Sequence, residues 1–224
     1  MEKFSDFHDP LTGKNPFIPV KNRKENKTVK ITSLLTIFRN LFVLFLIKLG
    51  FNSTIRQFIK IICYDKRTNR SKTTEDSIFS DDILKSNKII CNSVSLIDTL
   101  LLKLLFPEHQ IVYTVTEYKE HPRVIFFIEE CRSNGQMLLK FKEQVECDLG
   151  LIFRYNSDCV FTGGSKLKFW LNLCFKINKV EIEAYDITHS SQLAKKCDLI
   201  HSQFGLREKL KYAKALADSK RKNK

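Results

Sequence analysis

The chain reads as an α/β fold, a largely parallel sheet with flanking helices, preceded by an N-terminal membrane-associated helical pair. Three observations predict it. From residue 88 onward, short apolar and β-branched runs alternate with apolar segments of helical spacing, the pattern of helices laid on a parallel sheet. Residues 31–51 are the most apolar stretch and carry the charges of Arg39 and Lys48. Apolar residues make up 43% of the 224 and charged ones 28%, enough for a buried core and unlike a disordered chain.

Taken in order, residues 1–30 are polar, with turn signals at Asp9-Pro10, Thr12-Gly13 and Asn15-Pro16, and predict a loose N-terminal arm. Residues 31–64 predict the helical pair. The longest uncharged apolar run, 41–47, falls short of the roughly 20 residues that cross a bilayer. Over 54–64, Ile55, Phe58, Ile59 and Ile62 recur at helical spacing, with Arg56 and Lys60 elsewhere on the surface. Apolar faces beside basic residues fit helices lying in one leaflet interface; an ordinary buried helix hairpin is the alternative. Residues 65–87 read as a polar linker with a short strand near Ile78-Phe79.

The α/β domain is expected over 88–190. Residues 88–91 form a strand, and 96–106 an apolar helix stopped by Pro107. Residues 110–115, 123–128, 151–154 and 180–187 read as further strands, the last with clear alternation. Residues 165–177 fit a helix or a strand pair. Residues 191–224 predict C-terminal helices and a basic tail.

Net charge is +13. Five basic residues lie within 21–30 and eight within 207–224, so partners that carry phosphate or anionic lipid are favoured. Nucleic acid is not expected as a partner, because no motif interleaves basic and aromatic residues and the Phe-rich segments are too apolar to serve as stacking platforms. The seven cysteines include no CxxC, and several sit in apolar runs, which predicts reduced structural thiols. The five histidines have no ligand spacing with cysteine, so no metal is expected. The first residues, Met1-Glu2-Lys3-Phe4-Ser5-Asp6, lack the apolar region of a signal peptide, so insertion is expected to use an internal segment.

Two segments carry candidate chemistry, each directly after a predicted strand. The first is Cys91-Asn92-Ser93-Val94-Ser95-Leu96-Ile97-Asp98; the second is Phe127-Ile128-Glu129-Glu130-Cys131-Arg132-Ser133-Asn134-Gly135. In the second, Arg132 offers a planar fork of donors that suits a phosphate. Both segments have blander readings. Ser95-x-x-Asp98 is a helix-capping pattern, Arg132 among acids is a surface ion pair, and Asn134-Gly135 is a turn.

Together the segments resemble the glycerolipid (lysophosphatidic acid) acyltransferase family, whose motifs are Asn-His-x-Ser-x-x-Asp and Phe-Pro-Glu-Gly-Thr-Arg-Ser. Asn92, Ser95 and Asp98 match the first, with Ser93 in place of the histidine. Phe127, Glu129, Arg132 and Ser133 match the second, with Ile128, Glu130 and Cys131 in place of Pro, Gly and Thr. The chain is most similar to the fungal lysophosphatidic acid:oleoyl-CoA acyltransferase branch, which also lacks that histidine and ends in a Lys/Arg tail. Its Met1-Glu2-Lys3-Phe4 and Thr12-Gly13-Lys14-Asn15-Pro16-Phe17-Ile18-Pro19 look like that branch's N-terminus.

The resemblance implies an acyltransferase-like domain that converts lysophosphatidate and acyl-CoA to phosphatidate, with acyl-CoA as co-substrate and no cofactor. It implies a membrane surface or lipid droplet as partner, and a cytosol-facing location on the endoplasmic reticulum membrane and lipid droplets. Lysines third and fifth from the end agree with retrieval to the endoplasmic reticulum. Asp98 and Ser93 are then the catalytic candidates, and Arg132, Glu129 and Ser133 the phosphate-binding ones, with Glu129 also expected to orient Arg132 or the loop. Acyl transfer to a hydroxyl needs a base, and Ser93 is no substitute for imidazole, since its own pKa is too high. Three outcomes stay open: a base from elsewhere, with His109 and His121 as candidates; Asp98 acting through a water; or a lipid-binding scaffold that transfers nothing.

Overall fold

The structure, a computed structural model, describes residues 5–18, 59–67, 79–155, 159–175 and 178–222. Its strands are β1 (Ile59–Asp65), β2 (Lys88–Cys91), β3 (Gln110–Val112), β4 (Val124–Phe127), β5 (Met137–Leu138), β6 (Leu149–Tyr155), β7 (Asn178–Asp186) and β8 (Ile200–His201). Its helices are α1 (Asp81–Leu84), α2 (Asp98–Leu105), α3 (Val115–Glu120), α4 (Lys166–Phe175), α5 (Ser191–Lys196) and α6 (Leu206–Lys222), with a 3-10 turn over Ser5–Phe7.

Six strands form one sheet in the order β1-β7-β6-β2-β4-β3. β6, β2, β4 and β3 run parallel, while β7 is antiparallel to β6 and parallel to β1. The sheet is therefore mixed and mostly parallel, as the alternation of strands and helices predicts. Its central strands are near-continuous apolar runs, broken only by Lys88 in β2 and Arg154 in β6, because both faces are covered. On one face Ile89, Cys91, Ile125 and Phe127 pack with Leu101, Leu102 and Leu105 of α2. On the other, Ile90, Phe126 and Ile128 pack with Tyr118 of α3, Phe141 and Leu193 of α5. β7 keeps its alternation: Val180, Ile182 and Ala184 face the first core, while Glu183 pairs with Arg154 at 2.7 Å on the other side.

Several expectations need correction. Residues 59–64 are not helical; β1 pairs with β7 along its whole length. Ile59, Ile61 and Cys63 pack into one core at strand spacing, so the isoleucines carried two periods at once and the sheet edge selected the strand. The rest of the predicted helical pair, through residue 58, lies outside the described residues. The α/β domain thus begins before residue 88. Phe79 is buried ahead of α1 and is not in a strand. The strand predicted to residue 115 ends at Val112, because Thr114 and Glu117 form a reciprocal capping box that starts α3. Residues 166–175 resolve as a helix.

The N-terminal arm is not loose where it is described. Phe17 is buried, Asp9 accepts from the Ser202 hydroxyl at 2.7 Å, and Phe7 and Phe17 pack against Tyr212 of α6. Cys91, Cys131, Cys147 and Cys197 are free thiols, and Cys63 and Cys159 are buried. No helix among the described residues is long and apolar enough to cross a membrane.

Candidate functional site

The topology singles out one edge of the sheet. β2 and β4 are neighbours, and their outgoing connections diverge. After β2 the chain crosses over α2 to β3; after β4 it runs along the other face to β6. Open parallel sheets bind ligands outside the carboxyl ends of such a pair. The two candidate segments are the loops leaving these two strands at that edge.

The loops are joined directly. Ser133 N donates to Ser93 O at 2.9 Å, and Arg132 Nε donates to Ser95 O at 3.2 Å. Glu129 carries a third tie: Oε2 accepts from Ser93 N and Oε1 from Leu139 N, each at 2.6 Å. Glu129 is 2% exposed, so both bonds lie in a low-dielectric interior where an unmatched amide is costly.

The β2 loop is also held from β6 and the loop after it. The Asn92 side chain exchanges two hydrogen bonds with the backbone of Phe153, at 2.8 and 3.2 Å. Ser95 Oγ donates to Cys159 O at 2.5 Å. Asp98, 1% exposed, opens α2 and reaches back: Oδ2 accepts from Val94 N and Ser95 N at 2.8 and 2.9 Å, and Oδ1 accepts from the Tyr155 hydroxyl at 2.5 Å. The Ser95-x-x-Asp98 pattern is thus no capping box. Ile97 is the N-cap, with no side-chain cap bond, and Asp98 folds the loop.

Burial dominates the electrostatics. It pushes the Asp98 carboxyl up to about 6, opposed by the Tyr155 hydroxyl, the two amides and the nearby Arg132. It pushes Glu129 up to about 8; the Leu139 and Ser93 amides oppose this, and the neighbouring Asp98 charge adds to it. Burial also lowers Lys209, whose ammonium donates to Arg132 O at 2.7 Å.

Arg132 differs from the carboxylates. It is half-buried, only its Nε is bonded, and its two terminal nitrogens make no hydrogen bond or ion pair among the described residues. They offer a fork of donors beside Ser95, whose own amide donates to the Asp98 carboxylate. Ser93 lies at the junction of the loops, half-buried, and its hydroxyl has no hydrogen bond among the described residues.

Two expected binding roles do not fit this geometry. Ser133 is fully buried and its hydroxyl accepts from Gly135 N, which closes the Asn134-Gly135 turn instead of facing a ligand. Glu129 orients the two loops and makes no bond to Arg132. Nor do the candidate histidines reach this edge. His109 Nε2 lies 2.6 Å from Ser86 O, ahead of β2, and His121 precedes β4; both are at the opposite ends of the strands. Among the described residues no cluster of His, Cys, Asp or Glu could hold a metal.

Two participants escaped the sequence reading, and the course of a third residue, already noted in the second segment, differs from its motif position. Tyr155 is 57 residues from its partner Asp98. Lys209 comes from α6. Glu130, which stands where the acyltransferase motif has glycine, turns away from the site to accept from Leu206 N at 3.0 Å and to pair with Lys140 at 3.3 Å. Only contact through space relates Tyr155 and Lys209 to the site, and no local pattern marks them. No family model, no curated protein and no solved structure matches the chain.

Proposed function

We propose that the protein acylates lysophosphatidate with acyl-CoA to give phosphatidate, at the cytosolic side of the endoplasmic reticulum membrane and on lipid droplets. The motif resemblance supports this reading, and one observation carries it: the open guanidinium fork of Arg132 at the topological switch point, joined through Ser95 to Asp98. Arg132 would grip the phosphate bidentately. The acceptor hydroxyl then attacks the thioester carbon, a C–O bond forms, the C–S bond breaks, and CoA leaves as the thiol.

The proton is the weak step. With neither His109 nor His121 at this edge, Asp98 takes it through a water on its remaining lone pair and returns it to the departing thiolate. Ser93 lines the junction where the acyl carbonyl would lie. A positioned base contributes about 10²–10⁴-fold, so turnover slower than that of an imidazole-based transferase is expected. A second reading has an observation in its favour. Both Asp98 oxygens already accept hydrogen bonds, which suits a lipid-phosphate-binding scaffold that transfers nothing.

Acyl-CoA-dependent phosphatidate formation by purified protein in detergent micelles separates the two. Transfer is expected in the wild type, with losses in Asp98→Asn and Arg132→Ala. Turnover unchanged in both variants would show the proposed site to be wrong. No turnover, with retained Arg132-dependent binding of lysophosphatidate, establishes the scaffold.

A further inference from the structure

Helix α6 has two sides of opposite character. Its inner side packs on the body: Tyr212 meets Phe7 edge-on at 5.3 Å and lies 5.9 Å from Phe17, and Lys209 holds the Arg132 carbonyl. On its outer side Leu206 and Leu210, one turn apart, are 47% and 62% exposed. At about 100° per residue, the exposed Ala213 and Ala217 continue that ridge. Arg207, Lys211, Lys214 and Arg221, all exposed, form a second ridge beside it, where Asp218 is the single acid. Glu208 accepts from Gly205 N at the helix start and offsets part of the charge of Arg207 and Lys211, which leaves the ridge basic on balance.

We infer that this outer face of α6 is a docking surface for an anionic lipid bilayer, with the leucines entering the headgroup boundary and the basic ridge meeting the headgroups. The inference rests on the membrane association in the reading above and not on its acyl transfer. Charge complementarity selects the occupant. Two leucines and two alanines form a patch far below the roughly 800 Å² per partner of a stable protein contact. At a bilayer, headgroup attraction adds to that small apolar burial. The chain's own course agrees. The described arm ends at Ile18, 42% exposed and next to Phe17 on Tyr212, and from there the sequence leads to the apolar stretch 31–51. Because Lys209 ties α6 to the Arg132 loop, docking this face brings that end of the sheet to the lipid.

The test is flotation of the full-length protein with phosphatidylcholine vesicles that contain or lack phosphatidylserine. Wild type is expected to float far better with phosphatidylserine. Lys211→Glu with Lys214→Glu lowers that partitioning by about 30-fold or more, at roughly 1 kcal/mol per basic residue near the surface. The Lys211→Arg/Lys214→Arg pair retains it, and Leu206→Ser with Leu210→Ser lowers it about tenfold. Thermal melts of all variants are expected to match wild type, because these side chains face outward. Flotation of the Glu pair equal to wild type overturns the inference. So does tighter binding of a single-stranded RNA oligomer than of the anionic vesicles. Loss of transfer in micelles with intact flotation removes the proposed reaction and leaves this surface standing; the reverse result does the opposite.

Discussion

The loop after β2 and the loop after β4 leave neighbouring strands at one edge, yet they use their charges differently. In the first, Asp98 is enclosed, and both its oxygens are taken by Val94, Ser95 and Tyr155. In the second, Glu129 is likewise taken, but among the described residues the two terminal nitrogens of Arg132 have no partner. The difference teaches that the carboxylates hold the loops in place, while the guanidinium keeps the donors that the proposed function assigns to the phosphate. A buried carboxylate with both oxygens matched is a brace; a half-buried cation with unmatched donors is chemically able to take an anion.

The comparison breaks first at Glu129. Glu129→Ala leaves the Ser93 and Leu139 amides without acceptors, and at about 1–3 kcal/mol for each unmatched buried donor the loss is about 3–5 kcal/mol in urea unfolding. Glu129→Gln keeps one acceptor and is expected to lose about half as much. An unchanged midpoint in the alanine variant would remove the brace.

The pH dependence follows next. Both carboxyls titrate higher folded than unfolded, so the folded state holds protons that the unfolded state has released. The stability they contribute is complete below the ordinary carboxylate range. It is lost as pH rises through about 6 for Asp98 and about 8 for Glu129. Stability should therefore fall on going from mild acid to pH 8, by up to about 1.4 kcal/mol per pH unit per proton. Glu129→Gln should flatten the upper part of that slope, and urea melts at a series of pH values measure it.

A smaller effect tests where Glu130 points. A Cβ on Gly205 would overlap Glu130 Oε2 and displace the carboxylate from Leu206 N and Lys140. Gly205→Ala should cost about 1–2 kcal/mol. In a Glu130→Ala background the same change should cost much less, and a double-mutant cycle reads the difference. Additive costs would mean that Glu130 does not occupy that position.

The smallest stability effect belongs to Arg132. Arg132→Ala removes one hydrogen bond at a half-buried site and should shift unfolding by about 1 kcal/mol or less. Lysophosphatidate binding should weaken about 10–100-fold, the worth of one or two charge-assisted bonds. Equal losses of stability and binding would make Arg132 a brace like the carboxylates.

The sequence alone determined the class of the fold, most of its strands and helices, and the two loops that meet. Apolar periodicity and the positions of Pro107 and the strand-ending polar residues are local signals, and residues 88–91 and 96–106 carried them plainly. Tertiary structure decided the rest. β1 became a strand because β7 offered an edge, although its isoleucines also fit a helix. Asp98 became a brace because Tyr155 and two amides surround it, and Glu130 left the site because the start of α6 lies within its reach. Each of these outcomes depends on a partner distant in sequence, and a desolvated polar group takes its role from whichever partner is there to match it.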